Sequence, residues 1–181
     1  MSDRRQELIK QLETSRNSRV IAYVTGDRSP ATAAIGDDTV RPILEVLRAL
    51  PATDTLDVFL YSRGGAIDVP WRLATAFRQA AKTWRLLVPF RANSAATLLA
   101  LGADTIVLGR HGELGPIDPR FVAMSYDQAG RQIQSEIAVE DVMAYIRFLK
   151  DRAGLSDQAA LTSGISKLAE RIDPVMLGNI Y

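Results

Sequence analysis

Three short stretches of this chain hold residues whose types and spacing could do chemistry. Arg63-Gly64-Gly65 follows a β-rich run, Ser94 opens the small-residue end of FRANSAATLLALGAD, and GRHGELGPIDP occupies residues 109–119. Two glycines after a strand let the backbone turn sharply and present N–H groups, which can hold a developing negative charge. A plain tight turn asks for the same residues. A serine at a strand-to-helix junction feels the positive end of the helix dipole, and the N–H that follows it is free to donate. That is also where an N-cap serine sits. The third stretch, with three glycines and two prolines, reads as a rigid loop after a strand. Parallel α/β proteins build their sites in such loops.

A serine hydroxyl becomes a useful nucleophile only when a base takes its proton. The chain offers one histidine, His111, and four lysines, at positions 10, 82, 150 and 167. His111 lies 17 residues beyond Ser94, in the glycine-rich loop, where the reading as a solvated loop histidine outweighs the catalytic one. A lysine serves as a base only if burial or a nearby cation keeps it neutral. Lys150 follows Met143 and Ile146 at helical spacing, so it borders an apolar helix face, and Arg147 could supply the cation. A surface lysine near a helix C-terminus fits the same pattern. Cysteine is absent, which removes disulfides, thiolate nucleophiles and cysteine metal sites. A single histidine argues against a zinc site of the usual kind.

The elements that must position these groups follow from local patterns. Residues 1–18 form a polar lead-in helix with weak amphipathicity (Leu8, Ile9, Leu12). RVIAYVTG, TLDVFLYS, WRLLVPF and DTIVLG read as strands, and helices are expected over 39–50, 67–82 and 94–103. Residues 27–36 read as loop, with Asp37 or Asp38 capping the helix that follows. This alternation predicts an α/β fold with a mostly parallel sheet flanked by helices. The strands are nearly continuously apolar, as expected when both faces are covered. FVAMSYDQAGRQIQSEI reads as a hairpin around residues 127–130, and 139–181 as a C-terminal segment with helices over 139–153 and 157–170.

The 181 residues suggest a single domain, with 47% apolar and 24% charged residues in the balance of a soluble globular protein. The net charge of +1 provides no field for a nucleic-acid partner or an anionic membrane. No apolar run reaches the ~20 residues of a membrane span, and the polar start is unlike a signal peptide. A cytoplasmic location is expected.

Taken in order, the glycine pair, the serine of NSAATLLALGAD and IVLGRHGELGPIDP resemble the ClpP/crotonase superfamily. More narrowly they resemble Clp-fold serine proteinases of the serine dehydrogenase proteinase type, relatives of signal peptide peptidase A. IGDDTVRPILEVLRALP and DPVMLGNIY share the likeness, which runs from about residue 20 to the end. The resemblance implies a ClpP/crotonase-like fold and an ATP-independent serine endopeptidase without a cofactor. Ser94 matches the nucleophile, and Gly64, Gly65 and the N–H of Ala95 match the oxyanion hole. YIRFLKDRAGLS resembles the segment of signal peptide peptidase A that carries its catalytic lysine, which makes Lys150 the expected base. In Ser-His-Asp members the histidine falls later, near Pro116, Ile117 and Asp118, so His111 is the runner-up. The likeness also implies a peptide or unfolded-protein substrate and a homo-oligomer.

Two positions depart from that pattern. Arg63 stands where the family usually has proline, and is expected to lie in solvent or to bind a substrate carboxylate. SAAT replaces the commoner SAGT. An inactive oligomeric scaffold and a crotonase-like acyl-CoA enzyme are the competing readings.

Overall fold

The computed structural model describes residues 3–118, 120–126, 131–151, 162–164 and 166–167. It forms two compact units, residues 1–117 and 118–181. The first begins with helix α1 (Asp3–Arg16), strand β1 (Arg19–Val24) and two short strands, β2 (Asp27–Arg28) and β3 (Ala31–Thr32). Helix α2 (Val40–Ala49), strand β4 (Thr53–Tyr61), helix α3 (Val69–Ala80) and strand β5 (Ala81–Val88) follow. Strand β6 (Arg91–Ala92), helix α4 (Ala95–Leu101), strand β7 (Thr105–Leu108) and strand β8 (Glu113–Leu114) complete it.

Strands β1, β4, β5 and β7 form one parallel sheet in the order β1-β4-β5-β7. Alternation along β4 decides which face becomes the main core. Leu56, Val58 and Leu60 point to one side, where they pack with Leu73 and Phe77 of α3, Trp84, Leu86 and Val88 of β5, and Leu99 of α4. Phe77 and Trp84 are both fully buried, with ring centroids 5.2 Å apart and planes tilted by 48°. Such a pair adds about 0.5–1.5 kcal/mol beyond its buried area.

The opposite face of β4 breaks the expectation of uniformly apolar strands. Asp57 is fully buried there, directly opposite Arg85 in the register. Arg85 Nε donates to Asp57 Oδ1 at 2.6 Å, Arg16 Nε to Oδ2 at 2.5 Å, and Ser18 Oγ to Oδ2 at 2.8 Å. This cluster ties α1 to the sheet. The helix itself buries no residue, so polar bonds take over the work an apolar stripe usually performs.

Three local expectations change. Residues 81 and 82 were expected to end a helix, but they open β5, where Ala81 pairs with Thr53 and Thr83 with Thr55 of β4. Neither Asp37 nor Asp38 caps α2. Both lie in a 3-10 turn, and Asp37 instead pairs with Arg72. The residue preceding α2 is Thr39, whose hydroxyl donates back to the Gly36 carbonyl at 2.7 Å. Residues 27–36 contain the β2–β3 ribbon rather than loop alone.

In the second unit, strands β9 (Arg120–Tyr126) and β10 (Gln132–Ala138) pair antiparallel, as expected of a hairpin. Its turn lies outside the described residues. Helix α5 (Val139–Asp151) buries Val142 and Leu149. Of the last expected helix, 162–164 and 166–167 are helical and the remainder lies outside the described residues. Among the described residues no helix is long and apolar enough to cross a membrane.

Candidate active site

Three turns meet just beyond the carboxyl ends of the parallel strands. After β4, Ser62 forms a parallel bridge with Ala92: its N–H donates to Arg91 O at 3.0 Å, and its carbonyl accepts Asn93 N–H at 3.1 Å. After β7, the glycine-rich loop runs back along β6, pairing Arg91 with Glu113 and Ala92 with Leu114. The side chains of Arg91 and Glu113 add an ion pair at 2.6 Å. The hydroxyl of Thr97 sits 2.7 Å from the Ala92 carbonyl and 2.9 Å from that of Gly115, so α4 is fastened to strand and loop together. The rigid loop expected from GRHGELGPIDP is therefore one wall of a small parallel ribbon leading into Ser94.

Ser94 precedes α4 with φ 53° and ψ −118°. An ordinary N-cap residue lies in the extended region with its side-chain oxygen turned back on the helix. Ser94 does neither: its side chain makes no capping bond. Its carbonyl alone serves the helix, accepting Thr97 N–H at 2.8 Å and Leu98 N–H at 3.1 Å. Holding a non-glycine residue in such a conformation costs on the order of 1–3 kcal/mol, and strain of this kind clusters at functional sites.

Gly64 stands directly across from it, and Gly64 and Gly65 have φ of +108° and +150°. A Cβ on Gly64 would come within 2.8 Å of Ser94 Cβ and 2.7 Å of Asn93 O. A Cβ on Gly65 would run into the Ile35 backbone, 2.1 Å from its carbonyl oxygen. Both positions need glycine for conformation and for space. Ile35 N–H donates to Gly64 O at 2.8 Å, and Ile35 O accepts Ala66 N–H at 2.8 Å. In a trans peptide the C=O and the following N–H point in opposite directions. The grip of Ile35 on the Gly64 carbonyl therefore aims Gly65 N–H the other way.

The three backbone groups expected to act together are not equivalent. Gly64 N–H is taken, donating to Ser62 Oγ at 3.0 Å. Among the described residues, the N–H groups of Gly65 and Ala95 have no acceptor. Ala95 is fully buried, so its N–H is an orphan donor of the kind that needs an explanation.

Around this centre the charges are largely paired. Tyr61 donates to Asp27 Oδ2 at 2.5 Å, and Arg63 Nε reaches the same oxygen at 3.0 Å. The Tyr61 bond, aided by Arg63, holds the Asp27 carboxyl below the ordinary carboxylate range, and the same bond pushes the Tyr61 hydroxyl up. Arg63 is thus exposed, as expected, and also ion-paired. Phe90 stacks on Tyr61 at 6.2 Å, and the Arg91 guanidinium lies 4.9 Å from the Phe90 ring centre.

The candidate bases are placed differently. His111 is exposed in the loop turn. Lys82 pairs with Asp54 at 2.8 Å where β5 begins, at the far end of the strand from Ser94. Lys150 is exposed in the last turn of α5, in the second unit, and Arg147 is engaged by Glu140. Sequence reasoning missed Thr25 and Ser62, two buried hydroxyls joined at 3.0 Å. Nothing in their local sequence sets them apart.

Fold and site together define a parallel α/β protein with a backbone-strained serine beside a glycine turn. The chain belongs to the family of ClpP-like SDH-type serine proteinases, whose model matches residues 1–143. Two uncharacterised proteins of Methanocaldococcus jannaschii are similar, one 30% identical over 123 residues and the other 24% over 149. The matches cover 65% and 75% of this chain but only 43% and 51% of those relatives. Among solved structures, a serine-to-alanine variant of the membrane-bound stomatin-specific protease 1510-N is similar at 20% identity and a TM-score of 0.47, covering 78% of this chain and 66% of that one. ClpP1 of Listeria monocytogenes is similar at 18% identity and a TM-score of 0.39, covering 91% and 84%.

Proposed function

We propose that this protein is an ATP-independent serine endopeptidase that forms an acyl-enzyme on Ser94. The observation that carries this reading is the Ser94 backbone, held at φ 53° with its hydroxyl free of any capping bond, directly opposite the glycine turn. Ser94 Oγ attacks the scissile carbonyl, and the proton goes to the base. The N–H groups of Gly65 and Ala95 donate to the tetrahedral oxygen as its charge develops, and Gly64 supplies clearance. The substrate is a peptide or unfolded segment lying as an added strand beside the site. Lys150 is the proposed base, and a homo-oligomer is the proposed assembly.

The test is labelling with a fluorophosphonate probe. Wild-type protein should label and Ser94→Ala should not. Folded wild-type protein that stays unlabelled would overturn the peptidase reading in favour of an inactive scaffold. Lys150→Ala should abolish labelling near neutral pH while His111→Ala retains it. Loss on the histidine change alone would refute the lysine base.

Gly64→Ala places a methyl group against Ser94 at a φ that alanine adopts only under strain. Labelling should slow by about 100-fold or more, the scale of losing one oxyanion donor. The accompanying loss of stability should be about 1–3 kcal/mol, read by thermal unfolding.

A further inference from the structure

The glycine turn has no ring to stiffen it, because Arg63 leaves its own φ unlocked. What holds the turn comes from elsewhere in the chain. Immediately after β1, Thr25 N–H donates to Tyr61 O at 2.9 Å. Thr25 Oγ1 then donates to Ser62 Oγ at 3.0 Å. Ser62 Oγ in turn accepts Gly64 N–H at 3.0 Å, and its own proton faces the Gly64 carbonyl at 3.4 Å. Two residues on, Asp27 holds Arg63 from the solvent side. Thr25 is 4% exposed and Ser62 fully buried, so water cannot stand in for either hydroxyl.

We infer that Thr25 and Ser62 are positioning residues for catalysis: their hydroxyl relay fixes the Gly64 peptide, and through it the direction of the Gly65 N–H donor. The physical reason is that Gly64 and Gly65 have the widest conformational freedom of any residues, so a donor between them is preorganised only if its neighbours are tethered. Ile35 tethers the peptide that follows Gly64, and the relay tethers the one that precedes it. A preorganised donor lowers the barrier because it needs no reorientation when charge develops. The inference rests on the proposed Ser94 chemistry and adds residues that touch neither substrate nor the reacting oxygen.

The experiment measures fluorophosphonate inactivation of Ser94, separating the maximal rate from the half-saturating concentration, with thermal unfolding alongside. Thr25→Val keeps the shape and removes the donor. It should slow the maximal rate by about ten- to a hundredfold, short of the loss for a whole oxyanion donor, and leave half-saturation and folding near wild type. Thr25→Ser restores the hydroxyl and should recover the rate to within about threefold on the same reasoning. Ser62→Ala should resemble Thr25→Val; if it fails to fold, the Thr25 pair decides alone. Wild-type rates in folded Thr25→Val would overturn the relay while leaving the peptidase reading intact. Equal slowing in Thr25→Ser and Thr25→Val would also overturn it, since packing rather than the hydroxyl would then be responsible. Wild-type protein that does not label overturns both inferences, and that outcome is read before any variant is made.

Discussion

Ser94→Ala is expected to abolish fluorophosphonate labelling and peptidase activity while leaving the melting temperature unchanged. Removing the nucleophile of a serine protease costs on the order of 10⁶ in turnover where it has been measured. The stability half of the prediction separates two roles that look alike in sequence. A capping serine changed to alanine costs about 1 kcal/mol, which for a protein of this size is about 2–4 °C. Ser94 makes no capping bond, so alanine forfeits nothing there. Ser94→Gly should be at least as stable as wild type. Glycine relieves on the order of 1–3 kcal/mol of backbone strain and returns about 0.5–1 kcal/mol in unfolded-state entropy. A Ser94→Ala protein that still labels and melts 2–4 °C lower would make the serine a cap.

Asp57→Asn is expected to produce the largest loss of stability in the chain. Removing one partner from a buried ion pair costs about 3–5 kcal/mol; here Asp57 is fully buried and the two arginines left uncompensated are largely so. That corresponds to a fall on the order of 10 °C in melting temperature at this chain length. The pH dependence follows from the direction of the shift. Burial opposes ionisation of Asp57, but the hydrogen bonds from Arg85, Arg16 and Ser18 outweigh it, so the folded carboxyl lies below its usual range. A depressed folded value means the stabilisation is fully present above the unfolded aspartate value of about 3.9. It is lost as the pH falls through the lower folded value. Wild type and Asp57→Asn should therefore differ by a constant amount at neutral pH and converge below about pH 4. Equal melting temperatures at pH 7 would show that the cluster contributes nothing.

Much of this protein was legible in one dimension. The β-rich runs ending in Gly26, Gly64 and Gly109 are strands or their exits, because apolar periodicity and glycine breaks act locally. Residues 81 and 82 misled for the opposite reason. Their helical spacing continues that of α3, but the pairing of Ala81 and Thr83 with Thr53 and Thr55 claims them for the sheet, and such pairing is invisible within a short window. Asp37 and Asp38 looked like caps by position, yet the Gly36–Thr39 turn and the partner Arg72 took them over.

Fold class, the order of the three motifs and the choice of Ser94 as the candidate nucleophile could be read in one dimension, because each rests on local patterns of residues. The conformation of Ser94 and its surroundings, by contrast, come from contacts distant in the chain. Its unusual φ arises where α4 is tied to the ribbon of β6 and β8, and the glycine turn opposite is held by Ile35, Ser62 and Thr25. Those partners lie up to 39 residues before Gly64. Folding brings them together because a buried N–H must find an acceptor, and at Gly64 the acceptor within reach is the hydroxyl of Ser62.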